Sequence, residues 1–141
     1  MTLEDDLRRS NEAFYRAFRD RDPVAMERVW AESAPVACMH PGMPAIVGRD
    51  EVIRSWRGIL QHPHAPRIAC SAVEVHVLGT SAFVTCLEGN EGKPPRLIAT
   101  NVFTMEDGHW RLVHHQAGPL SPVVQPTRAP EPGTDDPYQL N

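Results

Sequence analysis

The sequence predicts an α+β domain in which helices cover one face of a curved, mainly antiparallel sheet. Three observations carry that expectation. Helical periodicity occupies the first 61 residues, long strand-like runs at hairpin spacing occupy residues 68–117, and the two classes barely interleave. Helices grouped ahead of a meander pack on one side of an antiparallel sheet, whereas alternating units would build a parallel one.

Thr2, followed by Glu4, Asp5 and Asp6, opens the first helix: a capping hydroxyl and then acids that complement the positive end of the helix dipole. Leu3, Leu7, Asn11, Phe14 and Phe18 fall on one stripe, with Arg16, Arg19 and Arg21 towards its end. "DRDP" breaks it, and Asp22 then caps a second helix with Pro23 at its first position and Met26, Val29 and Trp30 as its inner face. "VACMH" and Ala45-Ile46-Val47, separated by "PGMP", form a small hairpin. Gly48, with Asp50 and Glu51 behind it, opens a third helix whose Val52, Ile53, Trp56, Ile59 and Leu60 keep helical spacing until "QHPHAPR" stops it.

The strands are "IACSAVEVHVL", "AFVTCLEG", "RLIATNVFTM" and "HWRLVHHQA", joined by glycine-containing turns. A sheet of that length twists and curls, and helices on its concave side leave room for a small-molecule cavity. Residues 1–120 are expected to form the domain, and residues 121–141, rich in proline, a poorly ordered tail.

Composition excludes several classes. A formal net charge of −4 and a pI near 5.9 give no basic footprint for nucleic acid, and no run is long enough for a membrane helix. The first residues lack the pattern of a signal peptide, and the chain is therefore expected in the cytoplasm. Cys38, Cys70 and Cys86 are odd in number and each lies within an apolar run, the pattern of reduced, buried thiols. No phosphate-binding glycine loop or Ser-His-Asp signature occurs, and nothing demands a metal, nucleotide or other cofactor; "HPH" at His62 and His64 lacks a third ligand nearby.

The element order, together with "HPG", "GRDEVIRSW", "TNVF" and "GHWRLVHHQAGP", resembles the SnoaL-like branch of the nuclear transport factor 2-like superfamily over residues 3–120. The resemblance implies a cone-shaped fold, a pocket at the open end of the cone and a homodimer through the outer face of the sheet. It does not fix an activity, because the superfamily holds cyclases, isomerases and dehydratases beside non-catalytic binding and assembly domains.

Within that frame the candidate residues can be placed. Strict alternation sets His114 with Trp110, Leu112 and Gln116 on one face and His115 with Arg111, Val113 and Ala117 on the other, so only a bulge could bring both to one cavity. By resemblance, His115 is assigned to the cavity and His114 to the outer face. His40, at the end of the first short strand, is a second candidate acid/base group, or else it fixes the hairpin.

Asn101 alternates with Leu97, Ala99 and Phe103, which buries it and obliges it to find partners: His40 or His115, or a ligand. Glu88 shares a face with Val84 and Cys86 and is the one acid placed to point inward, although its position beside "GNEG" favours the exposed strand end. Tyr15 borders the first helix's apolar stripe and can aim its hydroxyl inward; Trp30 and Trp56 are cavity walls whose N–H groups could reach a ligand. His76, alternating with Glu74, belongs outside, and Cys86 would act as a nucleophile only with a base in reach.

Two functions stay open at this level. One is a cofactor-independent isomerase- or cyclase-type enzyme acting on an apolar carbonyl compound through His40 or His115. The other is a non-catalytic ligand-binding or dimerising module. A third, an adaptor using "PTRAPEPGTDDPYQL", has the least support. The aspartates of the superfamily's steroid isomerases and the Asp-Arg-Asp cluster of its epoxide hydrolases have no counterpart here.

Overall fold

The structure, a computed structural model, describes residues 2–121. The tail expected from residue 121 lies, beyond Ser121 itself, outside those residues.

Helix α1 (Leu3–Arg19) starts where the caps predict: Thr2 Oγ1 accepts from the Asp5 N–H at 3.1 Å and Asp5 Oδ2 accepts from the Thr2 N–H at 3.2 Å. Helix α2 (Pro23–Val29) is capped by Asp22, which accepts from the Ala25 N–H at 3.0 Å. Strands β1 (Ala37–Met39) and β2 (Ile46–Val47) form the expected short hairpin, and α3 (Arg49–Gln61) follows from Gly48, whose φ of 92° favours glycine. The meander is β3 (Ile68–Leu78), β4 (Ser81–Asn90), β5 (Leu97–Glu106) and β6 (His109–Pro119).

The six strands form one sheet in the order β2-β1-β6-β5-β4-β3, antiparallel except where β1 runs parallel to β6. That parallel pair joins the two halves: Cys38 lies opposite His115 and Met39 opposite Gln116. All three helices lie on one side, and the core between them and the sheet includes Leu7, Phe14, Met26, Trp56, Val84, Phe103 and Leu112. Phe14, Phe18 and Trp56 pack edge to face, with centroid distances of 5.4 Å for Phe14–Trp56 and 5.0 Å for Phe18–Trp56, so aromatic rings fill the centre of the curl.

Two expectations are corrected here. Trp30 does not extend the inner face of α2; the helix ends before it, and Trp30 bridges Leu112 of β6 in extended conformation, fully buried. Strict alternation also fails in β6. Val102 pairs with His114 but Phe103 pairs with Leu112, so Val113 is an extra residue. The bulge changes the phase, and His115 shares the buried face with Trp110, Leu112 and Ala117 rather than with Arg111 and Val113. His114 is half-buried, and its Nδ1 lies 3.0 Å from the Ala37 carbonyl oxygen.

Two charged side chains fasten the loop after α2. Arg49 donates to the carbonyls of Glu27, Trp30 and Ala31, and the Glu106 carboxylate accepts from the N–H groups of Glu32, Ser33 and Ala34 at 2.9, 3.0 and 2.8 Å. Slight burial alone would push the Glu106 carboxyl up, but the three N–H donors outweigh it and hold the group below the ordinary glutamate value. Its contribution to stability is therefore complete above the unfolded-state pKa and is lost as pH falls through the lower folded one. Glu106→Gln is expected to cost about 1 kcal/mol in urea unfolding at pH 7, given the solvent exposure of the site. That difference should shrink below pH 4.

Candidate functional site

The buried polar side chains among the described residues are Asn11, Glu88, Asn101 and His115, and Tyr15 joins them in one network. Each arrives from a different element. Asn11 and Tyr15 are four residues apart on the inner face of α1, Glu88 lies near the end of β4, and Asn101 of β5 sits opposite His115 of β6.

The hydrogen bonds run outward from the Asn101 amide. The Asn101 amide N–H₂ donates to Asn11 Oδ1 at 2.9 Å and to the Tyr15 oxygen at 3.1 Å, which leaves Asn101 Oδ1 as the acceptor facing His115 Nδ1 at 2.6 Å. Nδ1 must then carry the imidazole hydrogen, and Nε2 presents a lone pair. Tyr15 spends its only hydrogen on Glu88 Oε2 at 2.5 Å, so the Cys86 thiol, 3.1 Å away, is the donor to the Tyr15 oxygen. Across a 3.9 Å gap His115 Nε2 faces Glu88 Oε2. Two lone pairs confront each other there unless one group carries a proton.

The surroundings decide which group that is. Burial pushes the Glu88 carboxyl up, against the Tyr15 hydrogen bond that lowers it. Burial, with His40 and His114 nearby, pushes the His115 imidazole down to about 3. Both shifts favour a neutral pair with the proton on Glu88. Burial and the adjacent Glu88 and Cys86 raise the Tyr15 phenol, so it stays a donor.

Glu88 is therefore not at an exposed strand end, as its neighbours in sequence favour: its side chain is 2% exposed. The reason is that β4 continues to Asn90, paired with β3, so Glu88 lies within the ladder with Tyr15 of α1 over its carboxyl. Arg96 donates its N–H to the Glu88 carbonyl, and Pro95 lies so close to Gly89 that a Cβ there would meet its Cα at 2.8 Å.

His40 does not join this network. Its Nε2 lies 2.7 Å from Ser55 Oγ on α3 and 3.9 Å from Cys38 Sγ, and Trp56 stands between it and His115, with ring centroids 5.0 and 5.9 Å away. Burial lowers its pKa, so it is neutral at physiological pH. Trp56 influences the Cys38 thiol without a well-formed hydrogen bond, and burial pushes that thiol up to about 12. The Trp30 N–H has no partner either. The sequence reading assigned no role to Asn11 or Ser55; the one signal was a polar Asn11 within an apolar stripe.

Cavities open at the surface. A groove of about 590 Å³ runs along α3, lined by Ile46, Ser55, Ile59 and the exposed His62 and His64. A cleft of about 240 Å³ between α1 and β3 has Tyr15 and Cys70 in its wall and Glu12, Arg16 and Arg19 around them. Cys70 is thus half-exposed rather than buried. His62, His64 and His76 are exposed as expected, His76 stacked on Phe83. Among the described residues, no helix is long and apolar enough to cross a membrane, and no group of His, Cys, Asp and Glu side chains is arranged to hold a metal ion.

Residues 7–122 match the SnoaL-like domain. The chain belongs to that family. It is 32% identical over 109 residues to the F-box protein SKIP8 of Arabidopsis thaliana, covering 76% of this chain and 46% of that protein, so the chain spans about half the length of that curated relative. Among solved structures, a protein of Streptomyces avermitilis assigned as a dehydratase of the NTF2-like family is 32% identical with a TM-score of 0.74, over 83% of this chain and 95% of that one. A Thiobacillus denitrificans protein assigned as a calcium/calmodulin-dependent protein kinase type II association domain is also 32% identical, with a TM-score of 0.69 over 79% and 93%. A protein of cystatin-like fold from Caulobacter vibrioides, 15% identical at a TM-score of 0.68 over 84% and 90%, shares the fold.

The network makes a prediction about this SnoaL-like domain. A raised Glu88 pKa means that ionisation favours unfolding: its contribution is complete below the unfolded-state value and is lost as pH rises through the folded one. Gln in place of Glu88 keeps the acceptor for Tyr15 and supplies a permanent donor towards His115. Glu88→Gln is expected to stabilise the protein at pH 8, by about 1 kcal/mol in chemical unfolding, with the gain vanishing near pH 4.

Proposed function

We propose that the domain is an acid/base enzyme of the SnoaL-like group, acting on a small apolar carbonyl compound without a cofactor. The observation that carries the reading is the buried Glu88–His115 pair, which has room for one proton and is tied through Tyr15 and Asn101 into a buried network. An ionisable pair in a core costs stability that an apolar pair would not, and such costs concentrate where chemistry is done.

In this reading His115 Nε2 takes a proton from the carbon beside a carbonyl and Glu88 returns one, while the Tyr15 hydroxyl, donating to Glu88, holds that carboxyl in place. Asn101 holds the imidazole in the tautomer that leaves Nε2 free. The substrate comes through the cleft between α1 and β3, the opening that shares Tyr15 with the network. Trp56 and Trp30 serve as walls, and the His40–Ser55 pair, on the far side of Trp56, takes no part in the proton transfer. The dehydratase assignment of the Streptomyces relative, a proton-transfer activity, supports the same class.

A second reading has its own support. The rings of Phe14, Phe18 and Trp56 occupy the centre of the curl, and another relative is assigned as an association domain. In that reading the network is structural, and the domain works as a dimerising or ligand-binding module through the outer sheet face, where Leu78 and Ile98 are exposed.

Deuterium uptake separates the two. Small ketones and enones incubated with the protein in deuterated water should gain deuterium next to the carbonyl. Glu88→Gln should slow the uptake by about 100-fold or more, the scale of a lost general acid/base, and Tyr15→Phe by about 10-fold. Carbonyl compounds that bind without any uptake would establish the module reading.

A further inference from the structure

Cys70 of β3 sits opposite Glu88 of β4, and Cys86 lies two residues before Glu88 on the same face. The two cysteines are thus diagonal neighbours in an antiparallel ladder, a spacing normally too wide for a disulfide. Here β3 carries an extra residue between Ser71 and Glu74, where Ala72 adopts a φ of 51°. A bulge bends and over-twists its strand and so closes one diagonal of the ladder, and strained backbone of this kind gathers at functional positions. The thiols face one another there, and when Cys70 loses its proton the Cys86 S–H can turn from the Tyr15 oxygen to the Cys70 sulfur. Helix α1 covers both: Asn11 Nδ2 is 4.0 Å from Cys70 Sγ, and the Tyr15 oxygen is 3.1 Å from Cys86 Sγ.

The two differ in access and in acidity. Cys70 is half-exposed in the wall of the cleft beside Arg16 and Arg19, whereas Cys86 is 2% exposed. The S–H that Cys86 can offer a Cys70 thiolate draws the Cys70 thiol below its ordinary value, against burial and the nearby Glu88 and Glu12 carboxyls; the same bond, with burial, raises Cys86. The thiolate is the form that reacts with oxidants, so the reachable cysteine is also the more reactive one.

We propose that Cys70 and Cys86 form a peroxide-oxidisable pair, with Cys70 the reacting thiol and Cys86 the one that resolves it. The Cys70 thiolate attacks one oxygen of hydrogen peroxide, the O–O bond breaks, and hydroxide leaves and takes up a solvent proton. Sulfur is oxidised to the sulfenic acid and peroxide is reduced. The Cys86 sulfur then attacks Cys70 Sγ, the S–O bond breaks, and the Cys86 proton leaves with the hydroxyl as water. The resulting disulfide withdraws the S–H that Tyr15 accepts.

The test uses the wild-type chain, treated with one equivalent of hydrogen peroxide, alkylated and analysed by mass. Trypsin leaves both cysteines in one peptide, because no Lys or Arg lies between Arg67 and Lys93, while cleavage after Glu74 parts them. The expected product has lost two hydrogens, its fragments on either side of Glu74 stay joined until reduced, and Cys38 is still alkylated. In Cys86→Ser, Cys70 should accumulate as a sulfenic acid trapped by dimedone; if that variant does not fold, the wild-type mapping decides alone. A sulfenic or sulfinic acid accumulating on wild-type Cys70 while Cys86 remains alkylatable would overturn the proposal. So would a link to Cys38, or both thiols remaining free.

Discussion

A carboxyl group closed off from water beneath α1 governs how the rest of the interior is arranged. Removing Glu88 from solvent carries a penalty of several kcal/mol unless its oxygens find donors or its charge is suppressed. Tyr15 supplies the donor, and that single hydrogen bond fixes the direction of the others: the Tyr15 oxygen becomes an acceptor, Asn101 turns its amide hydrogens towards it, and the Asn101 carbonyl is left for His115.

The fold serves this arrangement. Helix α1 presents Asn11 and Tyr15 one turn apart, the β4–β5 and β5–β6 ladders bring Glu88, Asn101 and His115 to one face, and the bulge at Val113 turns His115 inward. Tyr15 of α1 lies over the Glu88 carboxyl on the inner face, while Pro94 and Pro95 pack against Gly89. Arg49 and Glu106 hold the segment after α2, so that Trp30 can close the core beside β6. Where the acid/base reading applies, the same rigidity sets the proton-transfer geometry, and Trp56 separates the network from the His40–Ser55 pair.

Much of this was legible in the sequence because it depends on local chemistry. Thr2 with Asp5, Asp22 with Pro23, and the glycine turns mark the elements, and the buried position of Asn101 follows from simple alternation. What stayed hidden depends on long-range pairing. A bulge leaves no trace in the alternation of "HWRLVHHQAGP", so His115 reached the inner face with different companions from those the pattern gives it. Glu88 looks exposed beside "GNEG" until the ladder is seen to continue to Asn90 with Tyr15 over the carboxyl. Trp30 continues the periodicity of α2, but extended pairing with Leu112 overrides it. Asn11 showed only as a polar interruption in an apolar stripe, and Ser55 gave no signal.

The central claim is that His115 is a neutral imidazole held with its hydrogen on Nδ1 and a lone pair on Nε2 facing Glu88. Nitrogen-15 NMR of the histidine rings measures this directly. The account predicts, for the His115 ring, a protonated Nδ1 and a bare Nε2 with shifts unchanged from pH 8 to pH 5. A His115 ring that titrates near the ordinary histidine value, or that carries its hydrogen on Nε2, would contradict it.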